Sequence, residues 1–285
     1  MAPARPLNIA HRGARLEAPE NTLAAFRAAV DAGADALELD VHLTADECLA
    51  VIHDDSVRRT TGARGLVAAM TLAQLKALDA GRWFGKAFAG ERIPELAEVV
   101  AAASGRAGLF VEVKNPGDRA AVVAAEVARR TKGFRGYLVI ESFDAAFVKL
   151  YKEMNPGARV ALLTESPRGL AQAAKAGADA VSVALRWPAL VSLCEVKKSG
   201  LDLYVWTVKS FRALAHALEW DVHGIITDYP RETRAVLERL DQAARRQFGA
   251  RPPEGDEYLQ WRRRIMRQMK RWPMQVKKRG RGARA

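Results

Sequence analysis

The sequence predicts an α/β fold: a closed (β/α)8 barrel with a rim insertion after the second strand and a basic helical extension at the C-terminus. Short apolar runs of strand length alternate with amphipathic helical stretches along the first 240 residues. Their number is the second observation, because eight β-then-α units indicate a closed parallel barrel. The third is Gly-Ala-Asp at residues 33–35 and 177–179, where glycine suits the end of a helix just before a strand.

The elements follow one another in a regular order. The strands are predicted at residues 7–10, 36–43, 109–114, 137–140, 159–163, 180–184, 203–208 and 224–227. The helices are predicted at residues 22–32, 95–103, 118–131, 144–154, 167–176, 188–198, 210–219 and 230–240. Because each strand is followed by a helical crossover, we expect neighbouring strands to run parallel with the helices outside.

A long insertion, about residues 49–94, interrupts this order after the second strand. It carries an extra strand at residues 49–53 and a short helix around residues 72–78. Trp83 and Phe84 within it are expected to pack the insertion down. Long strand-to-helix connections lie on the C-terminal rim of a barrel, where chemistry takes place, so we expect the insertion beside the active site.

The formal net charge of +12 is concentrated at the C-terminus. Residues 241–285 contain 14 Lys/Arg and 4 Asp/Glu, whereas residues 1–240 carry a balance of only +2. We therefore divide the chain into a barrel, residues 1–240, and a basic amphipathic extension, residues 241–285. A nucleic-acid partner is not expected, because the barrel lacks a broad basic face.

An apolar stripe at helical spacing runs along the extension. It consists of Tyr258, Trp261, Ile265, Met269 and Trp272. Two tryptophans on one helix face are expected to be covered by another surface. The three candidates are the barrel's own flank, another subunit and an anionic membrane. Intramolecular docking is the commonest fate of an amphipathic helix and is the first expectation.

The composition excludes several classes of protein. The 285 residues are 49% hydrophobic and 27% charged, as in an ordinary globular protein. No apolar run approaches the roughly 20 residues that span a bilayer. The first strand begins too early for a signal peptide, and Cys48 and Cys194 make no disulfide framework. These features predict a cytoplasmic location.

Carboxylates occupy positions where buried strands are usually apolar. The two-residue period of a strand places Glu38 and Asp40 on one face, and Glu112 and Lys114 on one face of another strand. Clustered carboxylates repel one another unless a cation lies between them. Their oxygens are the ligands that Mg²⁺ and Ca²⁺ prefer, with Mn²⁺ a weaker candidate. The alternative is that they lie on solvated faces of edge strands.

Two histidines follow strands directly, His11 after the first and His53 after the extra strand. A pair of imidazoles beside a divalent cation can remove and deliver protons at a phosphorus or carbonyl centre. Arg12 and Lys114 add donors that suit phosphate oxygens. Asn21 or Thr22 is expected to cap the first helix.

Eight short runs at the ends of predicted strands carry a family resemblance. They are His11-Arg12-Gly13, Pro19-Glu20-Asn21-Thr22, Glu38-Leu39-Asp40-Val41, Val51-Ile52-His53-Asp54, Val111-Glu112-Val113-Lys114, Glu141-Ser142-Phe143-Asp144, Val205-Trp206-Thr207-Val208 and Gly224-Ile225-Ile226-Thr227-Asp228-Tyr229-Pro230. In order from about residue 7 to 233, they resemble the glycerophosphodiester phosphodiesterase family, whose members are TIM-like barrels of the phospholipase-C-like kind.

The resemblance implies metal-dependent hydrolysis of glycerophosphodiesters to glycerol 3-phosphate and an alcohol. The family roles carried over are metal binding for Glu38, Asp40 and Glu112, acid–base catalysis for His11 and His53, and substrate contact for Arg12, Lys114, Glu20 and Trp206. Lys209 and His223 depart from the family pattern, which has Asn and Asp there. Which histidine is the acid, whether water or the substrate's 2-hydroxyl attacks, and which alcohol is preferred stay open.

The sequence leaves two alternative functions open. A lysophospholipase-D-like activity on lipid-bearing diesters would use the same site. A nucleic-acid- or membrane-binding protein acting through the basic extension is a rival from another class, but it leaves the three carboxylates unexplained. Asp228 could be catalytic, but a turn or N-cap role is equally expected and no site role is assigned to it. His42 is expected to support or pack beside the metal site.

Overall fold

Eight parallel strands close into a barrel in the computed structural model, which describes residues 5–166, 168–185, 196, 198–220, 222–249 and 256–268. The predicted (β/α)8 fold class is thereby confirmed. The barrel strands are β1 Leu7–Ala10, β2 Ala36–Leu43, β4 Gly108–Val113, β5 Leu138–Ser142, β6 Val160–Thr164, β7 Ala180–Ala184, β8 Asp202–Val208 and β9 Gly224–Thr227. The additional strand β3, Leu49–Val51, pairs antiparallel with β2.

The barrel closes where β1 pairs with both β2 and β9. Leu7 lies opposite Gly224 in this seam. A Cβ on Gly224 would lie 2.7 Å from the Ile9 side chain and 2.9 Å from Tyr204, so the close approach at the seam requires glycine. The first and last strands of the chain therefore become neighbours.

The helices surround the barrel as the alternation predicts. They are α1 Leu23–Asp31, α2 Arg58–Thr61, α3 Leu72–Lys76, α4 Leu96–Ala103, α5 Ala120–Thr131, α6 Ala145–Met154, α7 Gly169–Lys175, α8 Phe211–Ala217, α9 Pro230–Phe248 and α10 Asp256–Gln268. The helix predicted at residues 188–198 lies largely outside the described residues. No helix in the described part of the chain is long and apolar enough to cross a membrane.

Helix α9 continues eight residues beyond its predicted end at residue 240. Its buried positions include Val236, Leu240 and Ala244, so the apolar stripe extends across the proposed barrel boundary. The helix ends at Phe248, and the following Gly249 has a φ of 79°, a positive value that favours glycine. The charge shift at residue 241 therefore falls inside a continuous helix.

The strands bury both of their faces. Outward residues such as Leu37, Leu39 and Val41 pack against the helices in the larger core. Inside the barrel, one apolar layer is formed by Ile9, Ala36, Phe110, Val139, Ala161, Ala180, Tyr204 and Ile226. Polar residues occupy inward positions two residues further along several of these strands. The apolar layer thus forms a packed floor beneath a polar upper layer.

The insertion has a small core of its own. Its buried side chains are Ala50, Ile52, Val57, Val67, Leu75, Ala80 and Ile93. Trp83 packs edge to face against Phe84, with ring centroids 5.7 Å apart, and its indole N–H donates to the Ala80 carbonyl. These contacts agree with the expected packing role of the aromatic pair.

The described part of the C-terminal extension is docked against the barrel. Trp261 is 4% exposed, and Met266 joins the larger core. The buried Arg262 side chain donates to the main-chain carbonyls of Leu218 and Trp220, just beyond helix α8. The described part of the extension thus packs on the barrel of its own chain, which was the first expectation. Met269 and Trp272, the last two members of the predicted stripe, lie outside the described residues.

Candidate active site

The polar upper layer of the barrel opens into a cavity of about 300 Å³ at the carboxyl ends of the strands. Its lining residues are His11, Arg12, Arg15, Glu38, His53, Glu112, Lys114, Glu141, Phe143, Leu163, Glu165, Trp206, Thr207, Lys209 and Ile226. Loops after parallel strands converge at this end of a barrel, which brings together residues that are far apart in the sequence. The predicted insertion contributes His53 to the same cavity.

Three carboxylates form a buried cluster beneath the cavity. Glu38, Asp40 and Glu112 each offer an oxygen, and these oxygens all lie within 4.8 Å of one another. Strand register accounts for part of this arrangement, because Asp40 of β2 lies opposite Glu112 of β4. The solvated edge-strand alternative is wrong, since all three side chains are buried.

The protonation of this cluster reflects burial and mutual repulsion. Burial, with repulsion from Asp40 and Glu112, raises the pKa of Glu38 well above its usual value. Burial and the Asp40 charge raise the pKa of Glu112 to about 8. A hard divalent cation would relieve this repulsion, and three carboxylate oxygens suit such an ion. The donor set therefore fits the metal that the family resemblance implies.

Arg12 and Lys114 partly neutralise the cluster. Lys114 Nζ lies 3.0 Å from Asp40 Oδ1 and also bonds to Glu112. Arg12 Nε lies 3.3 Å from Asp40 Oδ2. Burial opposes the ionisation of Asp40, but Lys114 and Arg12 hold its pKa well below the usual range. Both cations also line the cavity, where they can contact an anionic ligand.

The loop after β1 is built around left-handed backbone. Arg12 has φ 55°, and the following Gly13 has φ 77°. A Cβ on Gly13 would lie 2.7 Å from the main chain of Ala25, so this position requires glycine on two grounds. The turn directs the Arg12 amide to Glu38, with an N–O distance of 2.8 Å. A main-chain amide of this loop therefore holds Glu38, a candidate metal ligand, in place.

Thr22 rather than Asn21 caps the first helix, and Asn21 has a separate role in the site. Thr22 caps α1 by accepting from the Ala25 amide at 3.2 Å. Asn21 instead donates its side-chain amide to Asp40 Oδ2 at 2.8 Å. The hydrogen bond from Asn21 holds the Asp40 carboxylate in a fixed orientation. This contact could not be predicted from the sequence, where Asn21 and Thr22 are equally good candidates for the cap.

His11 is oriented by Asp228. Its Nδ1 lies 2.6 Å from Asp228 Oδ1, and both side chains are buried. A carboxylate accepts, so the Nδ1 of a neutral His11 carries the proton and Nε2 is left for chemistry in the cavity. Burial lowers the pKa of His11 despite the opposing effect of Asp228. Such a histidine stays neutral and can take up a proton.

His53 has a matching partner in Asp54. Its Nδ1 lies 2.7 Å from Asp54 Oδ1. Burial lowers the pKa of His53, and the nearby charges of Arg12 and Lys114 add to the decrease while Asp40 opposes it. Both histidines therefore line one cavity, and each pairs through Nδ1 with an aspartate. His42, expected to support the site, contacts the main-chain carbonyl of His53 through Nε2 at 3.0 Å.

Glu20 lies beneath the rim and binds three arginines. Its carboxylate accepts from Arg12 at 2.9 Å, from Arg15 at 3.1 Å and from Arg59 at 2.9 Å. These bonds outweigh the effect of burial and lower the pKa of Glu20 to about 2. The side chain is 2% exposed and is not among the cavity-lining residues. Its contacts place it behind the residues that face the cavity.

Aromatic residues form one wall of the cavity. Trp206 donates its indole N–H to the Ser182 carbonyl at 3.0 Å, which fixes the ring. Phe143 packs edge to face against Trp206, with centroids 5.6 Å apart. Phe143 is 50% exposed and lies at the cavity surface. The wall adds apolar surface to a cavity that is otherwise lined largely by charged groups.

Glu141 is a fourth inward carboxylate. It lies on β5 opposite Glu112 and accepts a hydrogen bond from Ser182 Oγ at 2.9 Å. Burial raises its pKa to about 7. The sequence placed Glu141 in a family run without assigning it a role. Glu141 could have been identified from its inward position on β5, where it lies opposite Glu112.

The barrel gathers eight of the nine predicted site residues at or directly under the cavity, and Glu20 just behind them. Sequence reasoning missed four groups that hold these residues in place. They are Asp228, Asp54, Asn21 and the arginine pair Arg15 and Arg59. Asp228 had a usable signal, because it follows the last strand on the same rim as His11. Arg59 had none, since its partner Glu20 lies 39 residues earlier in the chain and Asp54 is brought to it by the fold of the insertion.

Comparison with known proteins gives a consistent result. The model of the glycerophosphoryl diester phosphodiesterase family matches residues 11–232. A glycerophosphodiester phosphodiesterase of Caldanaerobacter subterraneus is 38% identical over 238 residues, which cover 79% of this chain and 95% of the relative. The matched family region ends before α10.

Solved structures agree with the sequence comparison. A glycerophosphodiester phosphodiesterase from Agrobacterium tumefaciens has a TM-score of 0.68 at 32% identity, covering 80% of this chain and 98% of that one. An Oleispira antarctica phosphodiesterase, solved with its product sn-glycerol-3-phosphate, has a TM-score of 0.75 at 25% identity, covering 81% of this chain and 96% of that one.

Proposed function

This chain belongs to the glycerophosphodiester phosphodiesterase family, and we propose that it cleaves its diesters with a divalent cation held by Glu38, Asp40 and Glu112 and with His11 and His53 as the acid–base pair. The observation that carries the proposal is a single cavity that joins a buried carboxylate cluster to two histidines, each paired with an aspartate. The product is glycerol 3-phosphate, in keeping with the Oleispira antarctica complex.

The charged residues bind and orient the phosphodiester. Arg12 and Lys114 line the cavity and provide N–H donors for the non-bridging oxygens of the phosphate. A cation held by Glu38, Asp40 and Glu112 would supply positive charge against the negative charge that develops on the phosphate. The wall of Trp206 and Phe143 packs against the carbon skeleton of the substrate. Together these contacts hold the phosphodiester in the cavity that both histidines line.

The histidines move the protons. One imidazole, in its neutral form, takes a proton at Nε2 from the attacking hydroxyl, and the other, in its protonated imidazolium form, donates its Nε2 proton to the leaving alkoxide oxygen. Asp228 and Asp54 hold the Nδ1–H of His11 and His53, so each Nε2 is presented to the cavity. Either water or the substrate's 2-hydroxyl can be the nucleophile in this arrangement. Detection of a transient cyclic phosphate by phosphorus NMR distinguishes the second route.

The test is an assay of glycerol 3-phosphate release from a panel of diesters. Glycerophosphocholine, glycerophosphoethanolamine and glycerophosphoglycerol represent soluble substrates, and lysophosphatidylcholine represents the lipid-bearing alternative. We expect release from the soluble diesters, loss of release with EDTA and recovery with Mg²⁺ or Ca²⁺. Full activity after EDTA treatment would rule out the metal role. Lysophosphatidylcholine would yield lysophosphatidate and choline, so its turnover is followed by choline release. Turnover of this substrate alone would favour the lysophospholipase-D-like activity.

Metal binding has a separate readout. The melting temperature of EDTA-treated protein should rise when the cation that restores activity is added, because binding to the folded state stabilises it. Glu153→Gln is a matched control, since Glu153 is an exposed carboxylate of helix α6 that pairs with Lys149. This control should keep the full thermal shift, whereas Asp40→Asn should lose it.

A further inference from the structure

One arginine of the insertion contacts two carboxylates of the site. Arg59 lies on α2, Arg58–Thr61, a helix anchored by the buried Val57 and Thr60. Its guanidinium donates to Asp54 through Nε at 2.6 Å and through Nη2 at 3.0 Å. It also donates to Glu20 through Nη1 and Nη2, each at 2.9 Å. One planar group therefore joins two carboxylates by four hydrogen bonds.

The two carboxylates differ in how firmly they are held. Glu20 is nearly fully buried and is also bound by Arg12 and Arg15 of the first rim loop. Asp54 is about one-third exposed, and within the described part of the chain its side-chain partners are His53 and Arg59, both from the insertion. The guanidinium thus joins a partly exposed carboxylate to a buried one that two further arginines also bind. Lysine, a point charge, could not make the same forked bridge.

Asp54 is in turn the partner of His53. The Asp54 Oδ1 atom that accepts from Arg59 Nη2 also accepts from His53 Nδ1 at 2.7 Å. We propose that Arg59 is a positioning residue for the reaction: anchored on Glu20, it orients Asp54 so that His53 keeps its proton on Nδ1 and presents Nε2 to the cavity. The inference rests on the proposed acid–base role of His53. It assigns the insertion a part in assembling the active site.

The experiment is a double-mutant cycle with a spectroscopic readout. Arg59→Met should lower kcat roughly 10–100-fold, the usual effect of removing a partner that orients an active-site ligand, while KM stays within about twofold. Asp54→Asn should have a similar effect. In the Asp54→Asn background, Arg59→Met should cost less than about twofold more, because both changes break the same chain of contacts.

Arg58→Met is the matched control. Arg58 is the neighbouring exposed arginine on α2, and its loss should leave kcat unchanged. Nitrogen NMR of the five histidines gives a readout that does not depend on turnover. We expect the Nδ1–H tautomer of His53 in the unmodified enzyme and in Arg58→Met, and a mixture of tautomers in Arg59→Met.

The outcomes separate this inference from the proposed function. Additive losses in the double mutant, or a fixed Nδ1–H tautomer of His53 in Arg59→Met, would overturn the positioning role. A loss confined to KM would do the same, because it would assign Arg59 to substrate binding. If His53→Ala kept full activity, the acid–base assignment would fail, while the NMR result would still report whether Arg59 controls the tautomer.

Discussion

His11 and Asp228 are separated by 217 positions in the chain, yet His11 Nδ1 lies 2.6 Å from Asp228 Oδ1. Closure of the barrel produces this pair, because β1 and β9 are hydrogen-bonded neighbours and both residues follow their strands directly. The His11 amide donates to the Thr227 carbonyl at 3.0 Å, which extends the same register to the rim. The partner of the first histidine thus comes from the last strand.

Asp228→Asn should lower kcat by roughly 10²–10⁴-fold with a small change in KM. An amide can donate to His11 Nδ1, which would favour the tautomer with its proton on the wrong nitrogen. Asp241→Asn is a suitable control, because Asp241 is a partly exposed aspartate on α9 that pairs with Arg5 away from the cavity. Equal activity of the two variants would exclude an orienting role for Asp228.

The two histidines should respond differently to the leaving group. His11→Ala and His53→Ala should each lose roughly 10²–10⁴-fold in kcat on an alkyl diester. A nitrophenyl diester has a leaving group that needs little protonation, so it should restore the rate of the variant that lacks the acid. Steady-state kinetics of both variants on both substrates makes the assignment. Equal losses on the two substrates would contradict a division into acid and base.

Glu112→Gln should remove metal-dependent activity while preserving the fold. The substitution deletes one ligand charge and also relieves the repulsion that, with burial, raises the pKa of Glu112 to about 8. We therefore expect loss of turnover by orders of magnitude, loss of the metal-induced rise in melting temperature, and an unchanged or higher melting temperature in EDTA. A metal-free protein that is strongly destabilised by this change would indicate a structural role instead.

Much of the fold could be predicted from the sequence because buried parallel strands are short apolar runs with a fixed period. The predicted bounds of β1, β2, β7 and β9 agree with the structure. The same two-residue period identified the three carboxylates, because a charged residue is unusual in an apolar strand. They are Glu38, Asp40 and Glu112. The family runs supplied roles that the pattern alone could not.

What the sequence could not predict depends on distances between remote segments. Nothing in the run around Arg59 indicates that it bridges Asp54 and Glu20, because that contact requires the folded insertion. Helix α2 was missed for a related reason, since four residues are too few to display a helical period. In the extension, the predicted stripe omitted Leu259 and Met266, both of which are buried.

The stability of the metal-free enzyme should fall as pH rises through neutrality, partly because of Glu141. Burial raises its pKa from the ordinary 4.5 to about 7, so the folded state holds a proton that the unfolded state releases. Its contribution is complete below about pH 4.5 and is lost as pH rises through about 7. In that window the free energy of unfolding should fall by up to about 1.4 kcal/mol per pH unit.

Urea unfolding of EDTA-treated protein at several pH values between 4.5 and 8 measures this dependence. Glu141→Gln keeps the shape of the side chain and an acceptor for Ser182 Oγ, but it cannot titrate. We expect a shallower fall in the free energy of unfolding for this variant. An identical slope in the two proteins would mean that Glu141 does not take up a proton on folding.

The C-terminal helix should contribute stability without taking part in chemistry. Removal of residues 250–285 preserves α9 through its end at Phe248 but deletes α10, whose Trp261 packs edge to face against Phe248 at 5.5 Å. The melting temperature should fall, because apolar surface of the barrel becomes exposed. Turnover of a soluble diester should stay largely intact, since the cavity is lined by residues that precede α9.

A point substitution sharpens this test of the extension. Arg262 is buried and donates to the Leu218 and Trp220 carbonyls, so Arg262→Met should leave acceptors unsatisfied at a cost of about 1–3 kcal/mol in the free energy of unfolding. Arg264→Met, on the exposed side of the same helix, should cost less than about 0.5 kcal/mol. Equal effects would contradict the docked position of α10. A folded truncated protein without turnover would instead make the extension part of the active site.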